Sequence, residues 1–179
     1  MTYDIIWLGR GGQGGVTAAR LLAEAAVERG LYALAIPFFG AERRGAPVFA
    51  FNRVSRNEIR KRSRVRRGDL VVVLDASTLE IHDPRALLKP GGRLIVNGFP
   101  RLQGLEAYCL DAVSIAEALG LRLAGFPLVN MPMLGAAAKV SGLVDLDALS
   151  RVIRRDFSRL VEENIEAVKR GYEEVGRCG

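Results

Sequence analysis

A glycine-rich segment near the N-terminus is the part of the chain whose residue types and spacing point most directly to chemistry. Residues 9–15 read Gly-Arg-Gly-Gly-Gln-Gly-Gly and satisfy the G-x-G-x-x-G spacing at Gly9, Gly11 and Gly14. Glycines in such a loop let a ligand approach the backbone, and a helix that follows presents unpaired N–H groups with a partial positive charge. The segment therefore predicts a phosphate or pyrophosphate site. The alternative is that the glycines only allow the helix to pack tightly on a sheet.

Arginines supply the second chemical feature of the sequence. A glycine-flanked segment, residues 40–47, carries the adjacent Arg43 and Arg44 beside Glu42. Because a guanidinium binds phosphate or carboxylate through two parallel hydrogen bonds, these arginines are predicted to contact a ligand or another subunit. The alternative is an internal ion pair with Glu42.

A denser run of positive charge follows, with eight Lys or Arg among the fifteen residues 53–67. Such a run could attract nucleic acid or a phosphorylated substrate. It has no interleaved aromatic platform and belongs to no nucleic-acid-binding motif. We therefore interpret it as a solvated or intersubunit face rather than as a nucleic-acid site.

The chain offers few side chains for redox or metal chemistry. Its 179 residues include one histidine, His82, and two cysteines, Cys109 and Cys178, that lie far apart in the sequence and form no CxxC pair. We expect neither a disulfide framework nor an iron–sulfur or zinc site, and no catalytic triad. His82 is expected to be incidental, Cys109 to pack as a small apolar residue, and Cys178 to lie in a mobile tail. The sequence thus predicts no catalytic residue and no metal ligand in this chain.

Alternating apolar runs and helical patterns predict the elements that position these segments. Helical spacing predicts a first helix at Val16–Arg29, and apolar runs predict strands at Tyr3–Gly9, Leu31–Ile36, Val48–Val54, Asp69–Leu74, Arg93–Asn97 and Ala107–Leu110. Four more helices are predicted at Val113–Leu119, Asn130–Val140, Asp145–Phe157 with Asp145 as N-cap, and Ser158–Val175. We predict one α/β domain over residues 1–179. It is Rossmann-like and three-layered, with a mostly parallel sheet and a mainly helical part over about residues 112–179.

The end of the second predicted strand disfavours a nicotinamide or flavin dinucleotide. Rossmann sites place an acidic residue there to hold the ribose hydroxyls. This strand instead ends Ala35-Ile36-Pro37-Phe38, and Glu42 comes too late. Since no signal peptide and no long apolar segment are visible, we expect a cytoplasmic protein that contacts no membrane.

Five motifs occur in order along nearly the whole chain. They are Gly9-x-Gly-Gly-Gln-Gly with Thr17 beginning the helix, Gly40-x-Glu-Arg-Arg-Gly-x-Pro47, the strand from Asp69 to Asp75, Gly91-Gly92 before Ile95-Val96-Asn97, and Asn130-Met-x-Met-Leu-Gly135. The set resembles the gamma subunit of the 2-oxoacid:ferredoxin oxidoreductases, the pyruvate or 2-oxoisovalerate enzymes. The small subunit of indolepyruvate ferredoxin oxidoreductase shares the glycine loop. The Glu-Arg-Arg-Gly segment and the Asp75 strand favour pyruvate or a branched-chain oxoacid.

The resemblance implies one subunit of an enzyme that oxidatively decarboxylates a 2-oxoacid, transfers the acyl group to coenzyme A and passes two electrons to ferredoxin. It also implies alpha, beta and delta-type subunits that hold thiamine diphosphate, Mg²⁺ and [4Fe–4S] clusters. This chain would bind none of these cofactors and would not be active alone. The oxoacid side chain would be recognised by the alpha and beta subunits.

The resemblance also implies that this subunit lies beside the channel along which coenzyme A approaches thiamine. We therefore expect the phosphates of coenzyme A at a set of backbone donors, arginines and asparagines: Arg10, Gly11, Gly12, Gln13, Gly14, Gly15, Thr17, Arg43, Arg44, Asn97 and Asn130. Two other roles stay open. One is a purely structural subunit that docks on alpha, and the more remote one is a free-standing nucleotide-binding oxidoreductase.

Overall fold

Seven strands of the described residues form one mixed sheet in the computed structural model, which describes residues 1–38 and 46–179. The strands in chain order are β1 (Thr2–Arg10), β2 (Tyr32–Phe38), β3 (Pro47–Ser55), β4 (Gly68–Val73), β5 (Leu88–Asn97), β6 (Glu106–Leu110), β7 (Arg122–Leu123), β8 (Phe126–Pro127) and β9 (Gly176–Arg177). The spatial order of the sheet is β2-β3-β1-β4-β5-β6-β9, and β7 and β8 form a separate hairpin. All six strands predicted from apolar runs are confirmed.

Helices follow the predicted pattern closely. They are α1 (Gly15–Glu28), α2 (Pro84–Leu87), α3 (Ala112–Ala118), α4 (Asn130–Ser141), α5 (Leu146–Asp156) and α6 (Val161–Glu174), with a 3₁₀ helix at Ala76–Glu80. Asp145 caps α5 as predicted, because its Oδ1 accepts a hydrogen bond from the Ala148 N–H at 2.8 Å. The α/β class and the helical C-terminal part are confirmed. None of the described helices is long and apolar enough to cross a membrane.

The sheet has a parallel centre flanked on both sides by antiparallel pairings. Within the described residues, β1, β4, β5 and β6 run parallel as neighbours, whereas β3 is antiparallel to both β1 and β2, and β9 is antiparallel to β6. Because β3 lies between β1 and β2, the carboxyl end of β2 is two strand spacings, about 10 Å, from that of β1. A side chain at the end of β2 is therefore poorly placed to hold the ribose of a dinucleotide whose pyrophosphate lay at the glycine loop.

The two faces of the sheet are covered differently. Alternate residues of the central strands, including Ile5, Trp7 and Val72, pack against α1 and the C-terminal helices. The other face, including Ile6, Val71 and Val96, is covered by loops, the 3₁₀ helix and α2. Buried Trp7 donates its Nε1–H to Asn52 Oδ1 at 2.7 Å, and Asn52 Nδ2 donates to the Ala19 carbonyl at 2.7 Å. This pair joins β1, β3 and α1 and fixes the helix that follows the glycine loop.

Arg53 is not part of the solvated basic face that the sequence predicted. The residue is 4% exposed, and its Nε donates to Asp4 Oδ1 at 2.8 Å. Lys89 also pairs with Asp4, and its Nζ lies 3.0 Å from Asp4 Oδ2 and 2.7 Å from Asp69 Oδ2. Successive side chains of a strand point to opposite faces of the sheet, and Arg53 lies in β3 on a covered face. A count of positive residues does not reveal this burial.

The predictions that the two cysteines form no disulfide and that Cys178 lies in a mobile tail were wrong. Cys109 and Cys178 form a disulfide, although 69 residues separate them in the sequence. The C-terminal residues are not a mobile tail, because β9 pairs with β6 and the Cys178 N–H donates to the Ala107 carbonyl at 3.0 Å. Distance along the sequence misled the prediction, since an antiparallel return of the chain end brings the two thiols together at the sheet edge.

Removing this disulfide is expected to destabilise the protein. A cross-link that closes a loop of this length restricts the unfolded chain and contributes about 2–4 kcal/mol. Cys178→Ser should lower the free energy of unfolding in denaturant titrations by this amount. Wild-type protein in reductant should match the variant, and the variant should not respond to reductant. A wild-type protein whose unfolding is indifferent to reductant would contradict the pairing.

Candidate functional site

The candidate site lies where the connections of the sheet diverge. Parallel strands β1 and β4 are neighbours. From β1 the chain passes through α1 to β2 on one side, whereas β4 leads to β5 on the other. Ligands of open α/β sheets bind at such a switch point, in the crevice beyond the carboxyl ends of the strands. The glycine loop follows β1 here, and Asp75 follows β4.

The glycine loop forms a tight turn at the start of α1. Gly12 and Gly14 have φ angles of 90° and 81°, which side chains with a Cβ rarely adopt. A Cβ at Gly14 would also lie 2.4 Å from Asn130 Nδ2. Gln13 closes the turn, because its Oε1 accepts a hydrogen bond from the Arg10 N–H at 2.7 Å. The loop conformation therefore favours glycine at positions 12 and 14.

The N-terminus of α1 presents backbone hydrogen-bond donors. Gly14 is its N-cap, no side chain of the described residues caps it, and its first turn holds no acidic residue. The first N–H groups of a helix have no partner within the helix, and they carry the positive end of its dipole. The backbone from Gly15 to Thr17 thus offers hydrogen-bond donors to an anion.

Asp75 is the residue of this site that the sequence reasoning did not assign. Its Oδ2 lies 3.4 Å from Arg10 Nε and 3.3 Å from Gln13 Nε2. Its Oδ1 accepts hydrogen bonds from the Ser77 N–H and Oγ, and Arg10 Nη2 donates to Ser77 Oγ at 2.8 Å. Arg10 is therefore held across the switch point and its charge is partly neutralised. The sequence signal that could have identified Asp75 is its position, a carboxylate just after a strand buried on both faces.

A cleft of about 630 Å³ adjoins these residues. Arg10, Gly12 and Asp75 line it on the polar side, and the β7–β8 hairpin contributes Leu123 and Phe126. These two apolar side chains are 56% and 69% exposed. The volume lies within the range of small-molecule sites, about 300–1,000 Å³. The hairpin was not predicted, since its two-residue strands are too short to give a pattern.

The two predicted asparagines hold backbone groups at the edge of the site. Asn97 Nδ2 donates to the Leu74 carbonyl at 3.0 Å, and its Oδ1 accepts from the Ala112 N–H at 3.1 Å. Asn130 is 5% exposed, and its Nδ2 lies 3.4 Å from the Gly14 carbonyl. These bonds tie β4 to α3 and the glycine loop to α4. Only the Asn130 bond contacts the loop directly.

The predicted residues are distributed over two adjoining depressions. Arg10, Gly11, Gly12, Gln13 and Asn97 line the cleft. Gly14, Thr17 and Asn130 line a second pocket of about 500 Å³, which shares Arg10 and Gly12 with the cleft. Gly15 is the first residue of α1 and lines neither depression. Arg43 and Arg44 lie outside the described residues.

The described part of the chain holds no cluster of three His, Cys, Asp or Glu residues suited to a metal ion. Both thiols are consumed by the disulfide between Cys109 and Cys178. Neither is therefore available as a thiolate ligand for iron. His82 packs edge-on against Phe49 with ring centroids 5.0 Å apart.

Comparison with known proteins gives consistent results over nearly the full length. A family profile described as pyruvate ferredoxin/flavodoxin oxidoreductase matches residues 4–174. The chain is 45% identical over 175 residues to pyruvate synthase subunit PorC of Methanothermobacter thermautotrophicus, covering 96% of this chain and 95% of that protein. It is 43% identical to the common gamma subunit of the pyruvate/ketoisovalerate oxidoreductases of Pyrococcus furiosus, covering 96% of each. The crystal structure of pyruvate oxidoreductase subunit PORC from Thermotoga maritima superposes with a TM-score of 0.83 at 36% identity, covering 99% of both chains.

Proposed function

We propose, from the premise that this chain belongs to the pyruvate ferredoxin/flavodoxin oxidoreductase family, that its glycine loop binds phosphates of coenzyme A in the assembled enzyme. The chain is a gamma-type subunit of a 2-oxoacid:ferredoxin oxidoreductase. Such an enzyme must hold coenzyme A while its thiol accepts the acyl group. The phosphates are the strongly anionic part of that co-substrate, and they require an anion site.

The uncapped N-terminus of α1, beside the second pocket and the adjoining 630 Å³ cleft, is the observation that carries this proposal. Backbone N–H groups of Gly15 to Thr17 would donate to phosphate oxygens, as at other helix N-termini that bind phosphate. Asp75 keeps Arg10 oriented beside them. The exposed Leu123 and Phe126 would cover the less polar pantetheine part of the ligand.

We further propose that companion subunits of alpha, beta and delta type supply the redox chemistry. Thiamine diphosphate with Mg²⁺ would stabilise the acyl carbanion there, and [4Fe–4S] clusters would carry electrons to ferredoxin. The paired thiols of Cys109 and Cys178 are consistent with clusters held elsewhere. Pyruvate is the substrate that we favour. The Pyrococcus furiosus relative is named as common to pyruvate and ketoisovalerate oxidoreductases, which supports recognition of the oxoacid by other subunits.

A docking role is the second candidate function. Leu123 and Phe126 are large apolar residues exposed beside the cleft, and such side chains are frequent at protein interfaces. If docking were their only role, changes in the hairpin would weaken assembly and leave the affinity for coenzyme A unchanged in the complexes that survive.

Arg43 and Arg44 are predicted to supply charge to the bound phosphates. A hydrogen bond to a charged group contributes about 1.5–3 kcal/mol, so Arg43→Ala with Arg44→Ala should weaken coenzyme A binding at least about tenfold. Isothermal titration of the assembled complex measures this effect. Lys169→Ala, an exposed change on α6, serves as the control. Unchanged affinity in the double variant would reject the arginine assignment.

A further inference from the structure

One short segment accounts for the entire net charge of this protein. Residues 56–67, which we call the arginine strip, hold seven Lys or Arg and one acidic residue, Glu58, so their net charge equals the +6 of the entire chain. The remaining residues carry 19 positive and 19 negative side chains. The strip is therefore a local electropositive surface on an otherwise balanced protein.

Most described cations outside the arginine strip form ion pairs, whereas the described residues show no ion pair for the cations within it. Arg20 pairs with Asp156, and Arg155 with Glu24. Among the described residues, none of the seven cations of the strip forms an ion pair, and all seven are exposed: Arg56, Arg60, Lys61, Arg62, Arg64, Arg66 and Arg67. Like charges in such density repel one another, so the folded state gains nothing from their clustering.

The arginine strip is nevertheless held in a defined position. Buried Arg53 donates from Nη1 to the carbonyl of Lys61 at 2.7 Å and to that of Ser63 at 3.3 Å. Its own charge is compensated by Asp4. Val65, 3% exposed, anchors the segment in the core on the loop-covered face of the sheet. A buried cation that fixes the backbone of an exposed cationic segment makes the strip a preorganised surface.

An aromatic pocket of about 430 Å³ lies at the C-terminal end of the arginine strip. Its lining includes Phe38, Phe49 and Phe51, and Arg64, Arg66 and Arg67 line the same pocket. Arg64 lies over the Phe38 ring, 5.3 Å from its centroid. An apolar pocket with cations around it suits an apolar side chain flanked by carboxylates.

We propose that the arginine strip docks an acidic segment of another subunit of the same oxidoreductase, with an apolar side chain of that segment in the aromatic pocket. Seven cations exceed what one small anion neutralises, and their spread over twelve residues matches an extended acidic peptide. Nucleic acid is disfavoured because the aromatic rings offer no free stacking platform: Arg64 covers Phe38, and Phe49 and Phe51 stack on each other. Electrostatic complementarity of this kind steers association and fixes register.

Charge reversal tests the proposal in the assembled enzyme. Arg62→Glu with Arg66→Glu should lower retention of this chain in the complex about tenfold and remove most of the salt dependence of its dissociation, measured by size-exclusion chromatography over a potassium chloride series. Lys169→Glu with Arg170→Glu makes the same change in net charge on α6 and should have little effect. Equal retention of the two double variants would overturn the proposal.

Zero-length cross-linking identifies the partner. Lys61 is the single lysine of the arginine strip, and a carbodiimide joins its amine to a carboxylate in direct contact. The expected product links Lys61 to Asp or Glu of another subunit, and Lys61→Arg should abolish the link while the complex persists. Links confined to this chain would overturn the proposal. So would single-stranded RNA that binds the wild-type complex and loses binding in the Arg62→Glu, Arg66→Glu variant, while subunit retention is unchanged.

Discussion

Gly171→Ala is expected to lower the free energy of unfolding by about 3 kcal/mol or more, at or above the upper end of the usual range for overpacked cores. Helices α4 and α6 pack backbone against backbone at two glycines. A Cβ at Gly171 would lie 1.9 Å from the carbonyl oxygen of Pro132, and one at Gly135 would lie 1.8 Å from that of Val168. Because both obstacles are main-chain atoms inside helices, the overlap is relieved only if the helices separate.

Gly176→Ala is the matched control for this prediction. A Cβ at Gly176 would meet no atom within 4 Å, so the free energy of unfolding should stay within a few tenths of a kcal/mol of the wild type. Chemical denaturation followed by circular dichroism compares the variants. An alanine at Gly171 that proves as harmless as one at Gly176 would refute the close packing of α4 on α6.

Thr17→Glu is expected to weaken coenzyme A binding to the assembled enzyme at least about tenfold while leaving the chain as stable as before or slightly more so. Thr17 is in the first turn of α1, which lacks an acidic residue. A carboxylate there interacts favourably with the helix dipole, by about 0.3–1 kcal/mol, and would repel a bound phosphate. A variant that binds coenzyme A more weakly without losing stability shows an effect on ligand binding, because damage to the fold would lower its stability as well.

Gln103→Glu is the control for this second prediction. It adds the same single charge at an exposed position in the loop before β6, which begins at the opposite edge of the sheet. Its affinity for coenzyme A by isothermal titration should equal that of the wild type. If Thr17→Glu also binds coenzyme A like the wild type, the N-terminus of α1 is not the phosphate site.

Local patterns were sufficient to predict most elements of the fold. Unbroken apolar runs such as Leu70–Leu74 mark strands buried on both faces, and Asp145 marks a helix start through its own capping bond. Relations between distant segments were not predictable in this way. The insertion of β3 between β1 and β2 and the approach of Cys178 to Cys109 depend on how the chain returns to the sheet, and neither leaves a periodic signal.

The site was predictable in part for the same reason. The glycine loop could be predicted from its composition, because the positive φ angles of Gly12 and Gly14 favour glycine at these positions. Asp75 and the β7–β8 hairpin come to the loop from distant parts of the sequence, and only the sheet order brings them there. Arg53 shows that composition can also mislead. It belongs to a basic run in the sequence, but in the structure it is buried and paired with Asp4.

A structure of the assembled enzyme with bound coenzyme A tests the central claim most directly. The account predicts a phosphate oxygen within about 3.2 Å of backbone nitrogens between Gly11 and Thr17, the range of N–H···O hydrogen bonds. Coenzyme A whose phosphates contact only the companion subunits, with the first turn of α1 facing water, would contradict it.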